Sequence, residues 1–194
     1  QIRAELGLDD PLVVQYVRWL GGLFTGDMGY SIAFGSPVAV LMKEALPRTL
    51  ELAALSSLMA LAVTLPLGIL AYRRHGSRVD EAIRIVSFLG ISLPTFWVGL
   101  LFILIFSVKL RLIPVVATDD LRGMILPSAA LALWLAGLYI RRIRSALLEE
   151  AGKNYVLGAR TLGLSERTVL WKYIMPNALM TLLPMLGITM GNIM

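Results

Sequence analysis

The chain alternates between long apolar runs and short charged stretches. From about Thr49 to Tyr72 the only charge is Glu51, near one end, and from Ile85 to Val108 there is none. A third run extends from about Met124 to Ile140, and a fourth begins at Tyr173 and continues to Met194. A helix needs about 20 apolar residues to cross a hydrocarbon core of about 30 Å. The four runs therefore predict four membrane spans in an all-α helical bundle. Prolines recur inside them, at Pro66, Pro94, Pro127, Pro176 and Pro184. Pro66, with Gly68, is expected to kink its span and Pro94 to break the second, which is tolerated where neighbouring groups re-satisfy the freed backbone. At Pro94 the flanking Ser92 and Thr95 are expected to do this.

Ahead of the first run, residues 1–48 are mixed and predict a folded segment outside the membrane. Leu12, Val13, Tyr16, Val17 and Leu20 recur at helical spacing after Pro11, the pattern of an amphipathic helix. Gly21, Gly22, Gly26 and Gly29 then predict turns. Ser36-Pro37 is expected to open a short helix reaching about Leu46, as an N-cap followed by proline in the first turn. Residues 49–194 make the membrane domain.

The longest polar stretch between apolar runs spans residues 149–176, within a loop taken as 145–176. It predicts helix, stop, helix. Gly163 can close the first helix in the left-handed conformation. Ser165 is a natural N-cap for the second, and Glu166 falls in the first turn, where the helix dipole favours an acid. A two-helix hook held by spans on both sides is a docking device.

Charge fixes the expected orientation. The loops at 73–84 and 141–172 hold four and seven of the eighteen Lys and Arg residues. Segments 1–48 and 109–123 hold four and three, offset by five and two acids. Cytoplasmic loops carry the Lys/Arg excess, so 73–84 and 141–172 are expected in the cytoplasm and 1–48 and 109–123 outside. Composition agrees with a membrane protein: 57% of residues are hydrophobic and only 16% charged. Soluble domains carry about 25% charged residues. The chain opens on Gln1 and stops inside an apolar run, and is expected to be an internal piece of a longer protein.

Little in the chain points to catalysis. With one histidine and no cysteine, a catalytic triad or a metal centre has almost no material, and His75 reads as a solvated interfacial residue. No phosphate-binding G-x-x-x-x-G-K-[ST] loop occurs. The run interiors lack the ionisable residues that mark proton paths. Prolines and glycines within spans serve ordinary packing or line a pathway. For the second reading Ser92, Pro94, Thr95 and Trp97 are the candidate pathway residues. The cadence Ala159-x-x-x-Gly163-x-Ser165, followed by Val169, also fits a DNA-binding helix-turn-helix, but such a module is expected to stand apart from the membrane on a linker, and this hook is joined directly to spans on both sides.

Tyr155-Val156-x-x-Ala159-Arg160-x-x-Gly163-Leu164-Ser165, closed by Pro176-Asn177-Ala178, resembles the coupling-loop motif of ABC importer permeases, and among them the dipeptide, oligopeptide and nickel family. The similarity extends to Gly26-Asp27-Met28-Gly29-Tyr30-Ser31, Leu46-Pro47-x-Thr49-Leu50-Glu51-Leu52, Ser92-Leu93-Pro94-x-Phe96-Trp97 and Ile125-Leu126-Pro127, in family order. One departure is local: the family's loop begins Glu-Ala-Ala, whereas Leu157-Gly158 precede Ala159 here. The resemblance implies a type I importer permease fold with about four of six spans present. It implies a multi-pass channel subunit of a prokaryotic inner (cell) membrane for peptides or nickel, and the short 109–123 loop resembles nickel-type members more. The implied partners are a second homologous permease, two ATPase subunits, an extracytoplasmic solute-binding protein and membrane lipid. ATP and Mg would bind the ATPases, with no cofactor in this chain. In this reading Tyr155, Val156, Ala159, Arg160, Gly163, Leu164, Ser165 and Pro176 form the ATPase-coupling loop. Ala159 and Gly163 give close approach, Tyr155, Val156 and Leu162 apolar contact, and Arg160 and Arg167 charge. A secondary transporter working without an ATPase is the alternative.

Overall fold

The computed structural model describes residues 10–115 and 121–193. The chain divides into two compact units, one reaching Leu50 and the other starting at Glu51.

In the first unit, helix α1 (Leu12–Thr25) follows Pro11 as its apolar spacing requires. Gly21 and Gly22 lie inside this helix rather than in turns. It stops at Gly26, where φ is +86°. There Gly26 N–H reaches Leu23 O and Asp27 N–H reaches Gly22 O, the paired bonds of a Schellman stop. Two-residue strands β1 (Tyr30–Ser31) and β2 (Ser36–Pro37) pair antiparallel, Tyr30 opposite Pro37. Ser36-Pro37 is thus the return strand of a hairpin and not a helix start.

Helix α2 (Val38–Arg73) begins immediately afterwards. The short helix expected to end near Leu46 and the span expected from Thr49 are one continuous helix of 36 residues. Pro47 does not interrupt it, and Thr49 Oγ1 donates to Ala45 O at 3.0 Å beside the proline. At 1.5 Å per residue α2 is about 54 Å long, well beyond a hydrocarbon core.

The second unit is built on α5 (Leu121–Ala151), a 31-residue helix that continues through Arg141, Arg142 and Arg144 instead of ending at Ile140. From Glu51 onward α2 buries a face of small residues, including Ala53, Ser56, Ala60, Thr64 and Gly68. Membrane helices associate through such faces because small side chains let backbones approach. A Cβ at Gly68 would lie 1.9 Å from Ile143 Cγ2. Helix α3 (Arg78–Ser92) crosses α5 closely too, where a Cβ on Gly137 would stand 2.7 Å from Ser87 O.

The second apolar run is not a single straight span. Helix α3 ends at Ser92, and α4 (Thr95–Phe102) restarts after Pro94 with a bend of 98°. It continues as a π-helical stretch, Ile103–Lys109. Proline has no N–H and crowds the preceding turn, and here it breaks the helix, as expected of the Ser92–Trp97 stretch.

Beyond α5 come α6 (Asn154–Thr161), the three-residue α7 (Glu166–Thr168), a π-helical stretch Val169–Ile174, α8 (Met175–Met180) and α9 (Leu182–Ile193). The last apolar run therefore enters helix at Glu166, seven residues before Tyr173. Among the described residues, Val38–Arg73, Leu121–Ala151 and Glu166–Thr189 are long and apolar enough to cross a membrane, and α3 with α4 makes a fourth crossing if the bent pair counts as one. The expected all-α membrane bundle is present.

Candidate functional site

The hook from Gly152 to Ile174 takes its shape from local chemistry. At its tip Gly163 has φ +79°, a conformation costly to any residue with a Cβ. Gly163 N–H bonds Arg160 O at 3.0 Å and Leu164 N–H bonds Ala159 O at 3.3 Å, the Schellman pair that ends α6. Ser165 Oγ then accepts from Thr168 N–H at 3.3 Å, capping the helix that leaves the hook, with Glu166 in its first turn. Both turn residues read from the sequence occupy the places assigned to them.

One face of the hook is locked into the protein. Val156 is fully buried and Ala159 only 4% exposed. They join Ile143, Leu147, Val169, Leu170 and Ile174 in the largest buried cluster of the described residues. Expected as docking contacts, Val156 and Ala159 instead hold the hook to its own chain. The reason is helical phase: on α6 the positions 156 and 159 share the face turned toward α5 and the exit helix. Arg160 is also engaged. It bonds Glu166 Oε1 at 2.9 Å and the Ala151 carbonyl at 3.3 Å, so it closes the hook on itself. Pairing with Glu166 raises its pKa further.

The opposite face is open. Leu162 is 82% exposed, Trp171 54%, and Tyr155 and Leu157 are likewise exposed. Arg167 lies on the exit helix and lines, with Tyr72, Arg73 and Trp171, a cleft of about 470 Å³. Leu164 is half-buried and Pro176 exposed at the start of α8. The surface a partner can touch is thus Leu162, Gly163, Arg167 and Trp171, whereas Tyr155, expected to offer apolar contact, is held at its hydroxyl by its own chain.

Two polar links at this end of the bundle were not apparent in the sequence. Asp80, only 2% exposed, takes a bidentate grip from Arg144 at 2.6 and 2.7 Å. It also accepts Gly76 N–H at 3.0 Å. This ties the first turn of α3 to α5. His75 is mostly solvated, as expected, but its Nδ1 lies 2.9 Å from the same guanidinium. A signal for Asp80 was available, since Ser77-x-x-Asp80 has capping-box spacing and Ser77 does cap α3. The second link centres on Tyr155. Its hydroxyl donates to the Glu150 carboxylate and accepts from Asn177 Nδ2 at 3.0 Å. Lys153 Nζ pairs with the same Glu150 at 2.6 Å. Burial and the neighbouring Glu150 carboxylate push the Tyr155 pKa up, and the pair with Glu150 raises that of Lys153. Both hold their protons at neutral pH.

The candidate pathway residues fall at the break in the second apolar run. Ser92 Oγ donates to Phe88 O at 2.9 Å, one turn back within α3. Pro94 caps α4 without a side-chain bond. Thr95 lines an apolar cavity of about 350 Å³ with Phe96, Leu126 and Pro127. Trp97 is 43% exposed. Thr95 is brought to a cavity, whereas Ser92 and Trp97 are not part of it.

The described residues thus form a bundle of helices long and apolar enough to cross a membrane, with a polar hook at one end. The chain belongs to the family of binding-protein-dependent transport system inner membrane components, which it matches over residues 64–194. It is 35% identical to a probable D,D-dipeptide transport system permease protein, DdpB, of Escherichia coli, over 100% of this chain and 65% of that protein. It is 38% identical to the oligopeptide transport system permease protein AppB of Bacillus subtilis, over 97% of this chain and 63% of that one. A putative peptide transport permease of Brucella abortus is 40% identical over 96% of this chain and 62% of its own length. The chain thus spans less than two thirds of these relatives. Among solved structures it resembles a chain of the MetNI methionine ABC transporter in inward-facing conformations, with TM-score 0.62 and 19% identity over 78% of this chain and 71% of that one. That likeness shows the fold, a helical bundle shared with that transporter chain.

Proposed function

We propose that this chain is part of a permease subunit of an ATP-driven importer and forms half of a translocation path for peptides delivered by a solute-binding protein. The observation that carries the reading is the two-faced hook. One face is sealed into the bundle core by Val156, Ala159 and Val169. The other presents Leu162 to solvent, and Trp171 beside Arg167. Such a surface suits a groove on a separate protein: apolar anchors give burial, and the arginine gives register. The partner is an ATPase subunit, which binds ATP and Mg and drives the cycle. The Lys/Arg distribution supports a cytoplasmic hook and an outer face at 1–48 and 109–123. Peptide is favoured over nickel as cargo because the relatives above are peptide permeases by name.

The test is a mild-detergent purification of the full-length protein with its co-purifying chains identified by mass spectrometry. The importer reading expects a second permease and two ATPases. Recovery of the protein alone, with substrate uptake intact, would establish a secondary transporter.

A further inference from the structure

The polar groups at the base of the hook form a bridge that the docking surface does not use. Glu150 lies near the end of α5, Tyr155 in the first turn of α6, and Asn177 in α8. The Tyr155 hydroxyl joins them, donating to Glu150 and accepting from Asn177 Nδ2 at 3.0 Å. Asn177 Nδ2 also donates to Tyr173 O at 2.9 Å. That carbonyl belongs to the π-helical stretch, whose i→i+5 bonding departs from the ordinary helical ladder. Glu150 is 7% exposed, and Lys153 closes the group from the hook's entrance at 2.6 Å. A single hydroxyl therefore connects the helix entering the hook with the helix leaving it.

From this we infer that Tyr155 is a positioning residue for coupling: its hydroxyl makes the hook, the end of α5 and the start of α8 move as one body. The inference rests on the importer reading above. A hook attached only by its peptide links at Gly152-Lys153 and Ser165 would rotate under load and absorb the stroke of a bound ATPase. The hydrophobic cluster resists separation, but apolar contact is non-directional. The Tyr155 hydrogen bonds add direction, and those to a buried carboxylate are stronger than neutral ones. Phenylalanine at this position keeps the ring and removes only the bridge.

The experiment uses the full-length protein in its complex with its partner subunits, reconstituted in lipid vesicles with the solute-binding protein and a radiolabelled oligopeptide mixture. For Tyr155→Phe we expect ATPases to remain bound and basal ATP hydrolysis to stay within about twofold. Peptide taken up per ATP hydrolysed falls about tenfold. This ratio does not depend on the fraction of protein that folds. Amide exchange at residues 156–163 should accelerate about tenfold while α2 and α3 are unchanged. Asn177→Ala, which removes the other partner, should give the same pair of changes. The double variant should be no worse than either single one, as expected when two groups serve one bridge. An intact complex with unchanged uptake per ATP and unchanged exchange at the hook would overturn the bridge alone. Wild-type protein that transports with no ATPase attached would overturn the importer reading and the bridge's role together.

Discussion

The base of the hook and the break at Pro94 are both places where a helix stops and another begins, yet they are built in opposite ways. At the hook every turn is specified by local bonds, with a left-handed glycine at 163, a serine cap at 165 and the Arg160–Glu166 pair. Behind them lies the largest buried cluster. At the break, Leu93 closes α3 and Pro94 opens α4 without a side-chain cap. The arm beyond it exposes Phe96 to 72% and Leu100 to 60%. Its π-helical continuation makes an edge-on ring contact between Phe102 and Phe106 but has little of the chain wrapped around it. The difference separates a part fixed by its own bonds and core from a part whose apolar faces stay exposed.

The sharpest way to break this contrast is to damage the polar clamp beside the hook. Arg144→Ala leaves Asp80 buried without its partner, and removing one member of a buried pair costs about 3–5 kcal/mol. Thermal unfolding of the detergent-solubilised protein should show the largest drop of this series. Asp80→Asn, which keeps the shape, should lose less. Next comes Gly137→Ala, whose Cβ would meet the Ser87 carbonyl where α3 crosses α5. Overpacking of this kind costs about 1–3 kcal/mol, and the same melting experiment reads it. Smallest is Pro94→Ala. The proline lies at a break with exposed surroundings, so its loss should shift stability by under about 1 kcal/mol. A melting loss as large as that of Arg144→Ala would mean the break is packed and rigid, contrary to the comparison.

The two regions also differ in how far the chain alone reveals them. Hook geometry was legible because its signals are local: a glycine and a serine two positions apart dictate a stop and a start. The long α2 was not. Pro47 and the Ser36-Pro37 pair look like boundaries, whereas strand pairing with Tyr30–Ser31 and helix continuation decide the actual structure. Pro94 was visible as an interruption, but a 98° bend depends on what packs beside it. The inward direction of Val156 and Ala159, the Asp80–Arg144 clamp and the Glu150–Tyr155–Asn177 bridge are tertiary. The clamp joins residues 64 positions apart, and no short-range pattern pairs them.

The central claim is that the hook's open face drives the bundle through a partner ATPase. Gly163→Trp tests it most directly, because Gly163 stands at the tip with no atom within 4 Å of a Cβ built there. The indole fills the docking space and strains only the local turn. Measured in vesicles with the assembled full-length complex, peptide uptake should fall to background while the protein remains inserted and ATP hydrolysis persists. Normal substrate-dependent uptake at an unchanged cost in ATP would contradict the claim.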